Sequence, residues 1–336
     1  MSLLRALHRR RFLTTAWALA ACARSTGAGG DRGLTPVRFV TDWEAEAELG
    51  GLYQALATGE YAKRGLAVNL ISGGPGVNVP QLLAAGAVDM GVGSNSFIVM
   101  NLAAQKVPVK AVAAFMQKDP QVLIAHPDAG IETIAEMKGH PVLLADASIN
   151  AFWVWLKAKY GFTDDQVGKY AFSSAPFLAD KRIVQQGYVT SEPYTIEKAG
   201  HFVPKVFLLA DAGYPGYAGM ILASDRFMAA HPEAVRAFIQ AAAAGWKSYL
   251  YGDPTPADRL ILQANKEMTE DVLAQARDKL RRYGIIDSGD AARLGLGVMT
   301  DARWGQFFAM ASAAGVYSRN MDWKSAYTLQ FLPRSE

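Results

Sequence analysis

From Val37 onward, apolar runs of strand length and stretches with helical periodicity take turns along the chain. That alternation points to a mostly parallel sheet with helices on both faces, because parallel neighbours need a long crossover and a helix supplies one. Val37, Phe39 and Val40 make the first apolar run. Leu49, Leu52, Tyr53 and Leu56 then fall at i, i+3, i+4 and i+7, one face of a helix. Gly50 and Gly51 at its start leave room for something to approach the backbone closely. Residues 66–71 and 88–92 read as further strands, 81–87 and 97–104 as helices, and 109–115 and 122–126 as apolar strands. A second α/β block begins near Pro127, with strands at 142–144, 170–172, 188–190, 206–209 and 218–223 and an aromatic helix over 152–160. After Ser224 the pattern turns helical, with openings at Pro232-Glu233, Thr255-Pro256, Thr269-Glu270-Asp271 and Thr300-Asp301. A helical tail after two α/β blocks is expected to return and pack on the first.

The first residues read as a targeting segment. Arg9-Arg10-Arg11-Phe12-Leu13 matches the twin-arginine pattern, and the apolar stretch 12–21 falls far short of the ~20 residues a spanning helix needs. Leu19-Ala20-Ala21-Cys22 resembles the bacterial lipobox, which implies a signal peptide over 1–21 and lipidation of Cys22, the only cysteine. Residues 22–35, rich in glycine, read as a tether. Export by the Tat or the Sec route and a periplasmic, lipid-anchored location follow as expectations. The leader also distorts the charge: without it 30 basic residues face 31 acidic ones, which gives no electrostatic case for nucleic acid or an anionic membrane.

Much chemistry is missing. The five histidines are scattered, no HExxH pair exists, and one cysteine cannot build a metal site, so neither a metal nor a cofactor is expected. There is no G-x-S-x-G elbow and no P-loop, and the glycine runs at 74–79 and 91–96 lack the third glycine of a dinucleotide fingerprint.

What remains is a set of polar and aromatic residues in loops. Ligands on parallel sheets bind at the carboxyl ends of the strands. Asp42 and Trp43 stand there first. Asn78 follows the glycine loop, and Ser94 and Asn95 stand at a helix start, as caps or as ligand contacts. Phe115 ends a strand, as core or at a hinge. Among Phe152, Trp153 and Trp155 at least one faces a cleft or the surface, because adjacent helical residues do not share a face. Phe177 lies in a loop opening a helix. Glu192, before Pro193, is pushed toward extended geometry, with Tyr194 beside it. Asp211 to Tyr217 carries Tyr214 and Tyr217 in a Gly/Pro loop. Aromatic faces with carboxylates suit a flat, nitrogen-bearing ligand, whereas an anion would recruit arginine, and none stands in these loops.

TDWEAEAELGGLYQALATGEYAKRGLAVNL, GGPGVNVPQLLAAGAVDMGVGSNS and YVTSEPYTIEKAG together resemble the periplasmic solute-binding proteins of ABC importers, in the branch of nitrate, sulfonate, taurine and thiamine-pyrimidine-precursor binders. The resemblance implies a type II, two-lobed fold with a two-strand hinge. It implies a first lobe of 36–125 plus 217–336, its C-terminal helices packing on that lobe, and a second lobe of 126–216. It also implies a non-enzymatic, monomeric protein that hands a small heteroaromatic such as a hydroxymethylpyrimidine to a membrane permease and its ATPase. A sulfonate or another small organic solute is the alternative ligand. In the pyrimidine-precursor binders the Asp-Trp pair and the glutamate before Pro-Tyr contact the ring, which carries over to Asp42, Trp43 and Glu192. Glu44-Ala45-Glu46-Ala47-Glu48 departs from the Asn-rich stretch of those binders. A pyrimidine-synthesising fungal enzyme shares the fold but has a cysteine-rich motif, and this chain has no cysteine after Cys22.

Overall fold

The structure, a computed structural model, describes residues 33–333; the leader, Cys22 and the tether up to residue 32 lie outside them. In the first sheet run β1 (Thr35–Val40), β2 (Leu66–Ile71), β3 (Met90–Asn95) and β4 (Val109–Met116). The second holds β5 (Gln121–Ala125), β6 (Val142–Leu144), β7 (Val167–Lys169), β8 (Val184–Tyr188) and β9 (Lys205–Leu208). β10 (Ala218–Ser224) returns to the first. The strand orders are β2-β1-β3-β10-β4 and β7-β6-β8-β5-β9.

β1 is parallel to β2 and β3, and β6 is parallel to β7 and β8, as the alternation predicts. β10 and β5, however, run antiparallel to their neighbours. Both strands enter a sheet from the crossover side. Ala218, the first residue of β10, lies opposite Asn95 at the end of β3, and Gln121 lies opposite Tyr188 at the end of β8. A strand that starts at the carboxyl ends of its neighbours can only run against them. The carboxyl ends of both sheets therefore face one cleft. The first crossover spans residues 117–120, a few residues earlier than the boundary after residue 125 expected from the sequence, because β5 bonds to β8 and β9.

Around the sheets lie, among other helices, α1 (Gly50–Ala57), α2 (Val79–Ala84), α3 (Ser96–Ala104), α4 (Phe152–Tyr160), α5 (Glu192–Gly200), α6 (Pro232–Tyr251), α7 (Thr255–Ala264), α8 (Glu270–Arg282) and α9 (Asp301–Ala313). None of the described helices is long and apolar enough to cross a membrane. The C-terminal helices pack on the first sheet and its helices. Phe238 of α6 stacks on Phe39 of β1 and on Tyr61, with ring centroids 4.8 and 4.9 Å away. The buried Gln54 amide of α1 donates to Asp253 O (2.7 Å) and accepts from Ala257 N–H (3.0 Å), satisfying the opening of α7.

The glycines at the start of α1 serve this packing and not a ligand. A Cβ on Gly50 would stand 2.1 Å from the Tyr249 ring, one on Gly51 would stand 2.2 Å from the Trp246 ring, and one on Gly245 would stand 2.1 Å from Gly51 O. Helix α6 therefore lies directly on the α1 backbone. Gly51→Ala is expected to lower stability by about 1–3 kcal/mol or more, since the buried Trp246 has nowhere to retreat. Gly76→Ala, which meets open space, should stay within about 0.5 kcal/mol. Urea unfolding of both variants measures the contrast, and equal midpoints would refute it.

Candidate functional site

A cavity of about 380 Å³ lies in the cleft, within the range of small-molecule sites. From the first sheet, the loop after β1 supplies Asp42, Trp43, Glu46 and Glu48, and the end of β3 supplies Ser94 and Asn95. The loop after β1 is held by Thr41, whose buried hydroxyl donates to Trp43 O (2.7 Å) and accepts from Gly73 N–H (2.8 Å). Gly73 must be glycine there, because a Cβ would stand 2.1 Å from Thr41 O. The first crossover supplies Asp119. The second lobe supplies Phe152, Tyr170, Phe172, Gln186, Tyr188 and Glu192, and Tyr214 comes from the return crossover.

Two aromatic faces meet from opposite lobes. The Trp43 and Phe172 ring centroids are 5.5 Å apart, and Tyr170 stands 5.4 Å beyond Phe172. Phe172 is 63% exposed at the mouth and holds a left-handed φ of 57°, a conformation that costs about 1–3 kcal/mol for a side-chain-bearing residue.

Five carboxylates line the cavity: Asp42, Glu46, Glu48, Asp119 and Glu192. Among the described residues that line it there is no Lys, Arg or His. Burial raises each of these acids. Asp42 is pushed up to about 6, with the Ser94 hydroxyl pulling the other way. Asp119 is pushed up to about 7, against the Gln121 N–H that it accepts at 3.0 Å and the nearby Arg303 charge. Glu46 lies well above the usual range, through burial first and then through the charges of Glu48, Asp42, Glu192 and Glu44. Glu48 is raised by burial although the Thr190 hydroxyl donates to it across the cleft. Glu192 is also raised by burial, while accepting from Tyr188 N–H (2.7 Å) and Tyr170 Oη–H (3.1 Å).

Of the residues singled out in the sequence, Asp42, Trp43, Ser94, Asn95 and Glu192 meet in this cavity. Glu192 reaches it as the first residue of α5 rather than from an extended segment, since proline is tolerated in a first helical turn. Asn95 also caps α3 through Phe97 N–H (3.1 Å). Phe152 and Tyr214 line it as well, and the others lie elsewhere. Asn78 caps α2, its Oδ1 accepting from Gln81 N–H (3.0 Å). Phe115 is core, against Gly297. Phe177 is core of the second lobe, stacked on His126 at 4.3 Å. Tyr194 reaches across to α8, where its Oη–H donates to Asp271 (2.6 Å). Tyr217 is buried under the Arg303 guanidinium, 4.3 Å from its ring. Both tyrosines of the Gly/Pro loop are buried, not exposed, and Asp211 pairs with Lys118 (2.6 Å) outside the cavity. Of the aromatic helix, Phe152 lines the cavity and Trp153 and Trp155 do not. Sequence reasoning missed Asp119, Phe172 and Gln186 as lining residues, and it marked Glu46 and Glu48 only as the acids at which the chain departs from the pyrimidine-precursor binders. The alternating acids after Trp43 were the one available sign.

Two mixed sheets facing one ligand-sized cleft, joined by two crossovers, are the periplasmic binding protein fold. The periplasmic aliphatic sulphonate binding protein SsuA from Escherichia coli superposes with a TM-score of 0.64 over 90% of this chain and 94% of its own, at 13% identity, a likeness of fold alone. The chain belongs to the NMT1/THI5-like family, whose model matches residues 46–257. It is 28% identical over 235 residues to the riboflavin-binding protein RibY of Chloroflexus aurantiacus, covering 68% of this chain and 66% of that protein, just under two thirds of its length. It is 24% identical over 293 residues to the 4-amino-5-hydroxymethyl-2-methylpyrimidine phosphate synthase of Aspergillus parasiticus, covering 75% and 84%.

The raised acids set a pH dependence. A carboxylate whose folded pKa exceeds its unfolded value destabilises the fold when ionised, and that penalty disappears as pH falls through the folded pKa. With Asp42 near 6 and Asp119 near 7, the ligand-free protein should melt higher at about pH 5.5 than at about pH 8. Differential scanning calorimetry across that window checks it; a melting temperature that is flat or falls toward acid contradicts it.

Proposed function

We propose that this protein is the substrate-binding component of an ABC importer. On this reading it works in the periplasm as a monomer, anchored through lipidated Cys22, and captures a small flat heteroaromatic such as an aminopyrimidine. The observation that carries the ligand class is the pairing of aromatic faces with carboxylates in a cavity whose described lining holds no cationic side chain. A ring stacks on Trp43, and its amino and ring N–H groups donate to the carboxylates. A sulfonate would meet like charge without a counter-ion, which argues against the alternative solute class.

Closure follows from contacts that span the cleft. Thr190 of the second lobe donates to Glu48 and accepts from the Gln275 amide of α8 (2.6 Å), while Lys198 and Tyr194 of α5 hold Asp271. A ligand that touches both lobes favours the state in which these contacts form, and that state docks on the permease. We read no bond-making step. No His, Cys or Lys is found among the described lining residues, so no imidazole, thiolate or Schiff-base amine faces the ligand there.

A thermal-shift screen with 4-amino-5-hydroxymethyl-2-methylpyrimidine, riboflavin and an alkanesulfonate tests the reading. The pyrimidine is expected to stabilise the protein by about 2.7 kcal/mol at a hundredfold excess over Kd. Trp43→Ala should remove that shift by taking away the stacking face, and the alkanesulfonate should give none. Stabilisation by the sulfonate and not by the pyrimidine overturns the ligand class.

A further inference from the structure

The five carboxylates of the cavity are not equally served by the protein. Glu192 takes two donors, from Tyr188 and Tyr170. Glu48 takes the Thr190 hydroxyl and Asp119 takes Gln121 N–H, while the nearby Ser94 hydroxyl works against the rise of Asp42. Glu46 has no hydrogen-bond or ion-pair partner for its carboxylate among the described residues, and the charges that press on it, Glu48, Asp42, Glu192 and Glu44, are all of its own sign. The Arg303 guanidinium, whose charge acts on Asp119, is taken up by backbone carbonyls of the crossovers.

A second observation is independent of the acids. The Gln186 side chain lines the same cavity and is only 7% exposed. Its Oε1 accepts from Ala145 N–H (2.7 Å), and its Nε2 has no partner among the described residues. That free donor on a cavity-lining amide can meet an acceptor on whatever fills the space.

We propose that the ligand is a flat organic cation, held with Glu46 as its counter-ion, its ring on Trp43 and an acceptor atom on the Gln186 amide. This rests on the small-heteroaromatic reading above and adds a charge to it. A positive ring over an aromatic face gains from the ring quadrupole, and the gain grows where water is excluded. A neutral ligand leaves Glu46 either charged beside four other acids or protonated. A cation removes that conflict. The charge is organic because, among the described residues, no group of three His, Cys, Asp or Glu side chains is placed to hold a metal ion. Glu46 belongs to the alternating acids at which this chain departs from the Asn-rich stretch of pyrimidine-precursor binders, so one short segment sets the charge of the ligand.

The test uses matched probes and the full chain in titration calorimetry: 4-aminopyrimidine, its N-methylated 4-aminopyrimidinium cation, and tetramethylammonium as charge without a ring. The methylated cation is expected to bind about tenfold tighter than its parent at neutral pH. Binding should release protons, seen as a buffer-dependent heat, and should weaken as pH falls from about 8 to about 5.5, because the cation needs its carboxylates ionised. Glu46→Gln should bring the ratio of the two affinities near one, whereas Glu44→Gln, outside the lining, keeps it. A higher melting temperature of ligand-free Glu46→Gln shows that it is folded and relieved of repulsion. A parent that binds as tightly as the cation, or a ratio that survives Glu46→Gln, overturns the charge while the heteroaromatic reading stands. Binding of tetramethylammonium alone upholds the charge and overturns the ring. No binding of any probe overturns both.

Discussion

The Arg303 guanidinium ties together the two places where the chain passes between the sheets. Its Nε donates to Pro215 O (3.0 Å), and its Nη2 donates to Gly216 O (3.0 Å) and to Gln117 O, so one side chain from α9 joins both crossovers. Tyr217 lies flat beneath it at 4.3 Å and offers a face to the charge. Burial lowers the pKa of the arginine, and the charge of Asp119 works against that shift. Gln117 is held from the other side as well, with its amide donating to Ala114 O and Val298 O (both 2.9 Å). The two crossovers thus form a line whose backbone is fastened to the first lobe, and the carboxylate of Asp119 is carried on that line into the cavity.

The C-terminal helices make this arrangement possible. Helix α6 lies on the bare backbone of α1, and α1 is the helix whose entry loop presents Trp43, Glu46 and Glu48. Asn265, at the end of α7, donates its amide to Ala45 O (3.0 Å) within that loop. The loop is therefore shaped from behind by residues more than two hundred positions away in sequence, and its acids are held in the cavity although each would be better solvated outside it.

The fold class was legible because periodicity reports it directly: strands and helices alternate, and the helical tail is openly marked by proline and acid at its helix starts. Asp42, Trp43, Ser94, Asn95 and Glu192 were legible because the ends of parallel strands are where such sheets keep their polar residues. Glu46 and Glu48 were visible as an oddity but carried no periodicity to say which way they point, since they lie in a loop and a 3-10 turn. Phe172 gave no sign at all, because a left-handed backbone at a non-glycine residue leaves no trace in sequence. Tyr217 misled for the opposite reason. A Gly/Pro loop reads as exposed, and only the buried arginine above it explains why its tyrosines are inside.

The antiparallel entry of β10 between β3 and β4 has a consequence for the order in which the molecule is made. The second sheet is drawn from one unbroken stretch, β5 to β9, and can assemble as soon as that stretch has left the ribosome. The first sheet cannot. The position between β3 and β4 is vacant until Ala218–Ser224 has been synthesised, and every residue of the second sheet intervenes. Pairing across so long a closed loop is slow by its topology. During synthesis β3 and β4 therefore wait with unsatisfied edges, and the lobe that begins first is completed last.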